Sequence, residues 1–232
     1  MAWWLSAWLR GDAGPDHVLD AVIGPDAAHH VAGLPDRDEL VPLALALGSF
    51  RGGGSAGLAL PGPGDLAGLG GPAALNHAAV EAGEAVIVAD LATALVPHRA
   101  GAGVVWQCLP ALPRQLADLG EADRTLRAAL TRTATALADL DVARWRPEVA
   151  DDLMNLRHRP SYDAPPGTPA RAVDLSGRAL QARTIVDLAL EDDGAAATLA
   201  TINAREQALR PLASAGRHAL VAACSPEAWP PA

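Results

Sequence analysis

Gly68-Leu69-Gly70-Gly71-Pro72-Ala73 reads G-x-G-x-x-A, and Asp90 stands 22 residues beyond Gly68, just past the apolar run Val86-Ile87-Val88. Glycines at this spacing let a pyrophosphate approach the amides of a helix N-terminus. An acid at the end of the next strand then holds a ribose hydroxyl. Two departures separate this chain from that pattern. Seven residues, Pro61 to Ala67, stand between the preceding strand and the first glycine, and Pro72 lacks one of the amides that should face the pyrophosphate. The expectation is therefore a Gly/Pro loop that turns the chain onto a helix. A softer chemistry survives. Amides around Gly70, Gly71 and Ala73, with Asn76 and His77 one turn on, can receive a small anionic or nucleotide-like molecule. Gly68, Gly70, Gly71, Asn76 and Asp90 are the candidate ligand-binding residues.

A second candidate is basic. Arg157-His158-Arg159 is the densest point of an arginine-bearing stretch that also holds Trp145 and Tyr162. Arg157 and Arg159 can contact phosphate, RNA or an acidic partner, or pair with the acidic N-terminal half, which is the preferred expectation. The adjacent His29-His30 pair points about 100° apart on a helix, so it does not chelate one ion. No CxxC, HExxH, G-x-S-x-G or P-loop spacing occurs. No catalytic residue, metal site or cofactor is assigned. Cys108 and Cys224 are too far apart in sequence for a metal knuckle and read as small apolar residues. Asp151-Asp152 and Glu191-Asp192-Asp193 read as solvated helix ends rather than a cation site.

The composition narrows the classes further. The chain has 232 residues, half of them hydrophobic, and this is enough for a sizeable core. It contains no lysine; all 18 basic residues are arginine, as a high-GC bacterial genome tends to encode. The net charge of −9 argues against nucleic-acid binding. No run approaches the roughly 20 apolar residues that cross a bilayer, and MAWWLSAWLRGD lacks the basic start of a signal peptide. A cytoplasmic protein is expected.

The elements that must position these residues follow from periodicity. Short helices are expected over residues 2–10, 15–22 and 26–31. Trp4 and Trp8 share one face of the first, to be buried or to form an interface with a partner or second copy. Leu43, Leu45 and Leu47 alternate with alanine and suggest a strand, paired as a hairpin with Gly57-Leu58-Ala59-Leu60. A helix from Pro72 to Ala82 closes at Gly83. Val86 to Val88 is a strand, extended by Leu91 to Val96. His98 to Gly103 turns, and Val104 to Leu109 returns. Beyond residue 112 the period becomes helical. Gly120 separates a short helix from a long one, a helix spans 170–191, and Pro211 divides two more at about 195–210 and 212–223. The fold class is α+β: a small, largely antiparallel sheet with short helices in the N-terminal half, then a helical C-terminal half. Residues 1–232 form one folded unit, with sub-regions 1–112 and 113–232. The functional expectation is a non-catalytic interaction or regulatory role, possible homodimerisation included. The alternative is an enzyme or binding protein for a small anion at the glycine-rich loop.

Overall fold

A computed structural model describes residues 1–35, 37–139, 163–191 and 199–229. Helix α1 (Ala2–Arg10) ends at Gly11, whose φ of 84° provides a left-handed cap. Helix α2 (Pro15–Ile23) starts on a proline, where the missing amide costs nothing. Strand β1 (His29–Ala32) and the two-residue β2 (Val41–Pro42) follow. Helix α3 (Leu43–Ala46) runs into a 3₁₀ turn over Leu47–Phe50. After β3 (Gly57–Ala59) come helix α4 (Ala73–Ala82), β4 (Ala85–Val88), β5 (Thr93–Ala100) and β6 (Gly103–Pro110). The rest is helical: α5 (Leu119–Asp139), α6 (Ala170–Glu191) and α7 (Leu199–Ala223).

The six strands form one sheet in the order β2-β1-β6-β5-β4-β3. Only the β1–β6 pair is parallel. The α+β expectation therefore holds, with a helical C-terminal half. Alternation along β4 supplies both faces of the sheet. Val86 and Val88 enter a core with Leu5, Val18 and Phe50, while Ala85 and Ile87 meet Leu75 and Ala79 of α4. A third core joins α5, α6 and α7 around Leu126, Leu175, Leu209 and Leu212. Each such buried leucine contributes about 1.5–3 kcal/mol of transfer free energy. Leu60 and Ala67, from the glycine-rich region, belong to this helical core.

Several expectations are corrected. Residues 29–31, expected in a helix, are strand, because β6 offers them a parallel ladder from His29–Val104 to Ala32–Gln107. Leu43 to Leu47 is helical, not a strand in a hairpin with residues 57–60. Leu43, Ala46, Leu47 and Phe50 are buried while Leu45 is 65 % exposed, which is the i, i+3, i+4, i+7 spacing of a helix face. Leu91 to Val96 does not extend β4; a turn at Ala89–Leu91 reverses the chain into β5. The turn expected over His98–Gly103 shrinks to Gly101 and Ala102, since Ala100 already pairs with Gly103. Gly120 lies within the first turn of α5 rather than between helices. Pro211 lies inside one continuous α7. It is itself exposed, and the burial of Leu209 and Leu212 beside it outweighs the roughly 3 kcal/mol that an interior proline costs.

Candidate functional site

Strand β3, the Pro61–Gly71 loop, α4 and β4 follow one another as a strand–loop–helix–strand unit, but β3 and β4 are antiparallel neighbours. A dinucleotide crossover needs them parallel. The loop's glycines face the chain's own backbone. Gly68, at φ 81°, presents its carbonyl to Arg114 Nη1 at 2.9 Å. A Cβ on Gly70 would lie 2.2 Å from the carbonyl oxygen of Pro113. The Gly71 carbonyl accepts the Leu112 amide at 2.9 Å. Asn76 sits half-buried on α4 with its Oδ1 buried and unpartnered. Asp90 serves the other glycine run, accepting the Gly54 amide at 2.7 Å. The structure thus brings Gly68, Gly70 and Gly71 together with residues 112–114.

Two side chains that sequence reasoning missed hold this loop. The Arg114 side chain is 3 % exposed. Its Nη1 donates to the Leu58 and Gly68 carbonyls, at 2.8 and 2.9 Å, and its Nε and Nη2 grip the Glu227 carboxylate. Ser225 Oγ accepts from Arg114 Nη2 and from the Leu58 amide. Asp65, at the loop's tip, accepts from Ser214 Oγ at 2.8 Å, Arg217 Nη2 at 2.7 Å and His218 Nε2 at 3.0 Å, all on α7. Burial alone would raise the Asp65 carboxyl. The hydrogen bonds from Arg217 and Ser214 and the charge of His218 outweigh it and hold the pKa below its usual value. Ser214 and His218 both bind the carboxylate rather than each other, so no nucleophile–base pair forms there. No local signal marks Arg114 or Asp65, because their partners lie 46 to 153 residues away.

Trp4 and Trp8 are half-buried against the N-terminal core. Trp4 stacks on His17 with centroids 6.4 Å apart, and the Arg51 guanidinium lies 5.9 Å from the Trp8 ring centroid. Arg157 and Arg159, with Asp151-Asp152 and Asp192-Asp193, lie outside the described residues.

An open cleft of about 660 Å³ lies between the first turns of α5 and α6 and the C-terminal segment. Asp118, Asp123 and Arg127 line one side, Arg171, Asp174 and Arg178 the other, and Trp229 closes an end. Asp118 accepts the Glu121 amide at 2.8 Å and so caps α5. Asp123 receives both Arg127 and Arg178, one carboxylate for two guanidiniums. Arg171 and the Asp174 carboxylate have no partner among the described residues. Trp229 is fixed twice: its Nε1 donates to the Ala223 carbonyl at 3.1 Å, and the Arg10 guanidinium lies 5.5 Å from its ring centroid. None of these residues was singled out from the sequence, although Asp123 and Arg127, four apart on one helix, carry a local spacing signal.

Comparison with known proteins gives two family matches. Residues 1–119 match the N-terminal domain of the Rv1486c-like protein family, and residues 120–221 match its C-terminal domain. The chain is an Rv1486c-like protein. The uncharacterized protein Rv1486c of Mycobacterium tuberculosis is 32 % identical over 281 aligned positions, covering 98 % of this chain and 96 % of the relative. The uncharacterized protein ML1804 of Mycobacterium leprae is 29 % identical over 290, with the same coverage. No solved structure matches the chain.

In this Rv1486c-like chain the histidine singled out by sequence, His29, belongs to a closed chain of bonds. Trp106 Nε1, a donor only, points at His29 Nδ1 from 3.1 Å, so Nδ1 accepts. Nε2 therefore carries the proton and donates it to Asp26 Oδ2 at 3.0 Å. Both ring nitrogens are used, and neither is free as a base. The hydrogen bond from His29, then that from Arg99, lowers the Asp26 pKa. A depressed folded-state pKa stabilises the fold above the ordinary carboxyl value of 3.8 and is lost as pH falls through the lowered one. Urea unfolding at pH 2.5 to 7 should show this as an acid limb that flattens in Asp26→Asn; an unchanged limb would refute it. The Cys108 thiol is pushed up by burial, and that of Cys224 up to about 12, so both are protonated at neutral pH. Among the described residues no group of His, Cys, Asp and Glu can hold a metal ion, and no helix is long and apolar enough to cross a membrane.

Proposed function

We propose that this Rv1486c-like protein is a non-catalytic regulatory protein of the cytoplasm that binds a small anionic molecule. The supporting observation is the α5–α6 cleft, which holds Arg171, without a partner among the described residues, beside a two-arginine, one-carboxylate bridge. Its volume lies within the roughly 300–1,000 Å³ typical of small-molecule sites. Among the described residues three other polar clusters are committed to internal partners: Asp65 to α7, Arg114 to Glu227, and Asp26 to His29 and Arg99. This reading moves the anion site from the glycine-rich loop to the helical half. The regulatory output passes to a protein partner or a second copy. Leu40 and Leu45, 57 % and 65 % exposed on either side of the edge strand β2, supply apolar surface for it.

Thermal unfolding with a panel of nucleotides, acyl-CoA esters and polycarboxylates tests the proposal. A ligand at 100 times its Kd should stabilise the protein by about 2.7 kcal/mol. Light scattering on the same samples should show a change in association. If no anion on the panel shifts the melting temperature, the proposal falls.

A further inference from the structure

The cleft contains more than positive charge, and its parts select among anions. Arg171 offers a planar fork, without a partner among the described residues, suited to a phosphoryl or carboxyl group. The Asp174 carboxylate, one turn along the same helix, accepts hydrogen bonds only, as does Asp118 on the opposite wall. These two acids repel a polyanion but receive hydroxyl or amino protons. Trp229 supplies a flat apolar wall, and its orientation is set before any ligand arrives, because its indole nitrogen is tied to Ala223 and Arg10 covers the ring. Leu119, Leu175 and Ala228 make the remaining surface apolar. An anionic group, hydrogen-bond donors and a flat ring are the three features this lining is built to receive.

Resting on the anion-binding reading above, we propose that the cleft between α5 and α6 takes a nucleoside monophosphate. The phosphate lies on Arg171, with the Arg127–Asp123–Arg178 bridge as its second positive neighbour. The sugar hydroxyls or an exocyclic amine donate to Asp174 and Asp118, and the base lies against Trp229. Inorganic phosphate lacks the sugar, the amine and the ring that Asp174, Asp118 and Trp229 would receive, and the added negative charge of a nucleoside triphosphate is repelled by the two acids. The wall and the fork together discriminate against a bare nucleoside.

Titration calorimetry with AMP, adenosine, inorganic phosphate and ATP tests this on the full chain. AMP should bind at least tenfold more tightly than the other three. Arg171→Ala should weaken AMP at least tenfold at an unchanged melting temperature, since Arg171 is exposed and has no partner among the described residues. Arg171→Lys should recover part of the loss, and Asp174→Asn should narrow the gap between AMP and ATP. Equal affinity for AMP and inorganic phosphate, or AMP binding that ignores Arg171→Ala, would overturn the nucleotide assignment. Amide exchange separates that failure from failure of the wider reading. Protection of the first turns of α5 and α6 by another anion leaves the anion site standing without the nucleotide. Protection by AMP at Gly68–Asn76 instead returns the site to the glycine-rich loop and removes both.

Discussion

Arg114→Ala should lower the stability of this protein by about 3 kcal/mol, the lower end of the range for breaking a buried ion pair. The choice of the lower end follows from the partner: the Glu227 side chain is 31 % exposed and can take water when the guanidinium leaves. The Leu58 and Gly68 carbonyls cannot do so as readily, because both lost their shared donor in a part-buried joint. For a chain of this size the change corresponds to a fall in melting temperature of about 6–12 °C. Glu227→Gln should cost far less, since the amide oxygen still accepts and the backbone contacts of Arg114 persist. If Arg114→Ala and Glu227→Gln unfold at the same temperature, the carbonyl contacts carry no weight and the account of the joint is wrong.

Gly70→Ala should be the second severe change, costing about 2–4 kcal/mol by forcing strain into a fixed backbone contact. The added methyl would sit 2.2 Å from the Pro113 carbonyl oxygen and 2.9 Å from that of Leu112. Both obstacles are main-chain atoms and cannot swing aside as a flexible side chain would. The loop must therefore part from residues 112–114 and carry Arg114 with it. Gly101→Ala is the control. Its φ is 61°, so alanine there is strained, but no atom lies within 4 Å of the new methyl. Its cost should stay near the roughly 1–2 kcal/mol of a left-handed L-residue. Equal destabilisation by the two substitutions, measured by urea unfolding, would show that steric contact at Gly70 does not matter.

Much of the architecture was written locally. The caps at Gly11 and Gly83, the proline that opens α2, and the return strand β6 all rest on neighbours within a few residues. The leucine period of residues 119–137 and 170–191 was legible for the same reason. Even Leu43–Phe50 carried its helical spacing in Leu43, Ala46, Leu47 and Phe50, although the Leu-Ala alternation masks it. Two of the errors came where a partner far along the chain decided the outcome. His29 to Ala32 became a strand because β6, some 75 residues later, offered it a ladder. Pro211 stayed inside a helix because α5 and α6 bury its neighbours.

The candidate site divides along the same line. Composition and local spacing by themselves determined an acidic, lysine-free α+β chain with a glycine-rich bend, a helical second half and no contiguous catalytic motif. Only the tertiary structure decided that the bend faces Arg114 and residues 112–113, and that Asp118, Arg171 and Trp229 share a cleft. The reason is physical. A helix period or a cap is set by interactions over three or four residues, whereas a charge becomes a joint or a site only when another segment, tens of residues away, removes its water.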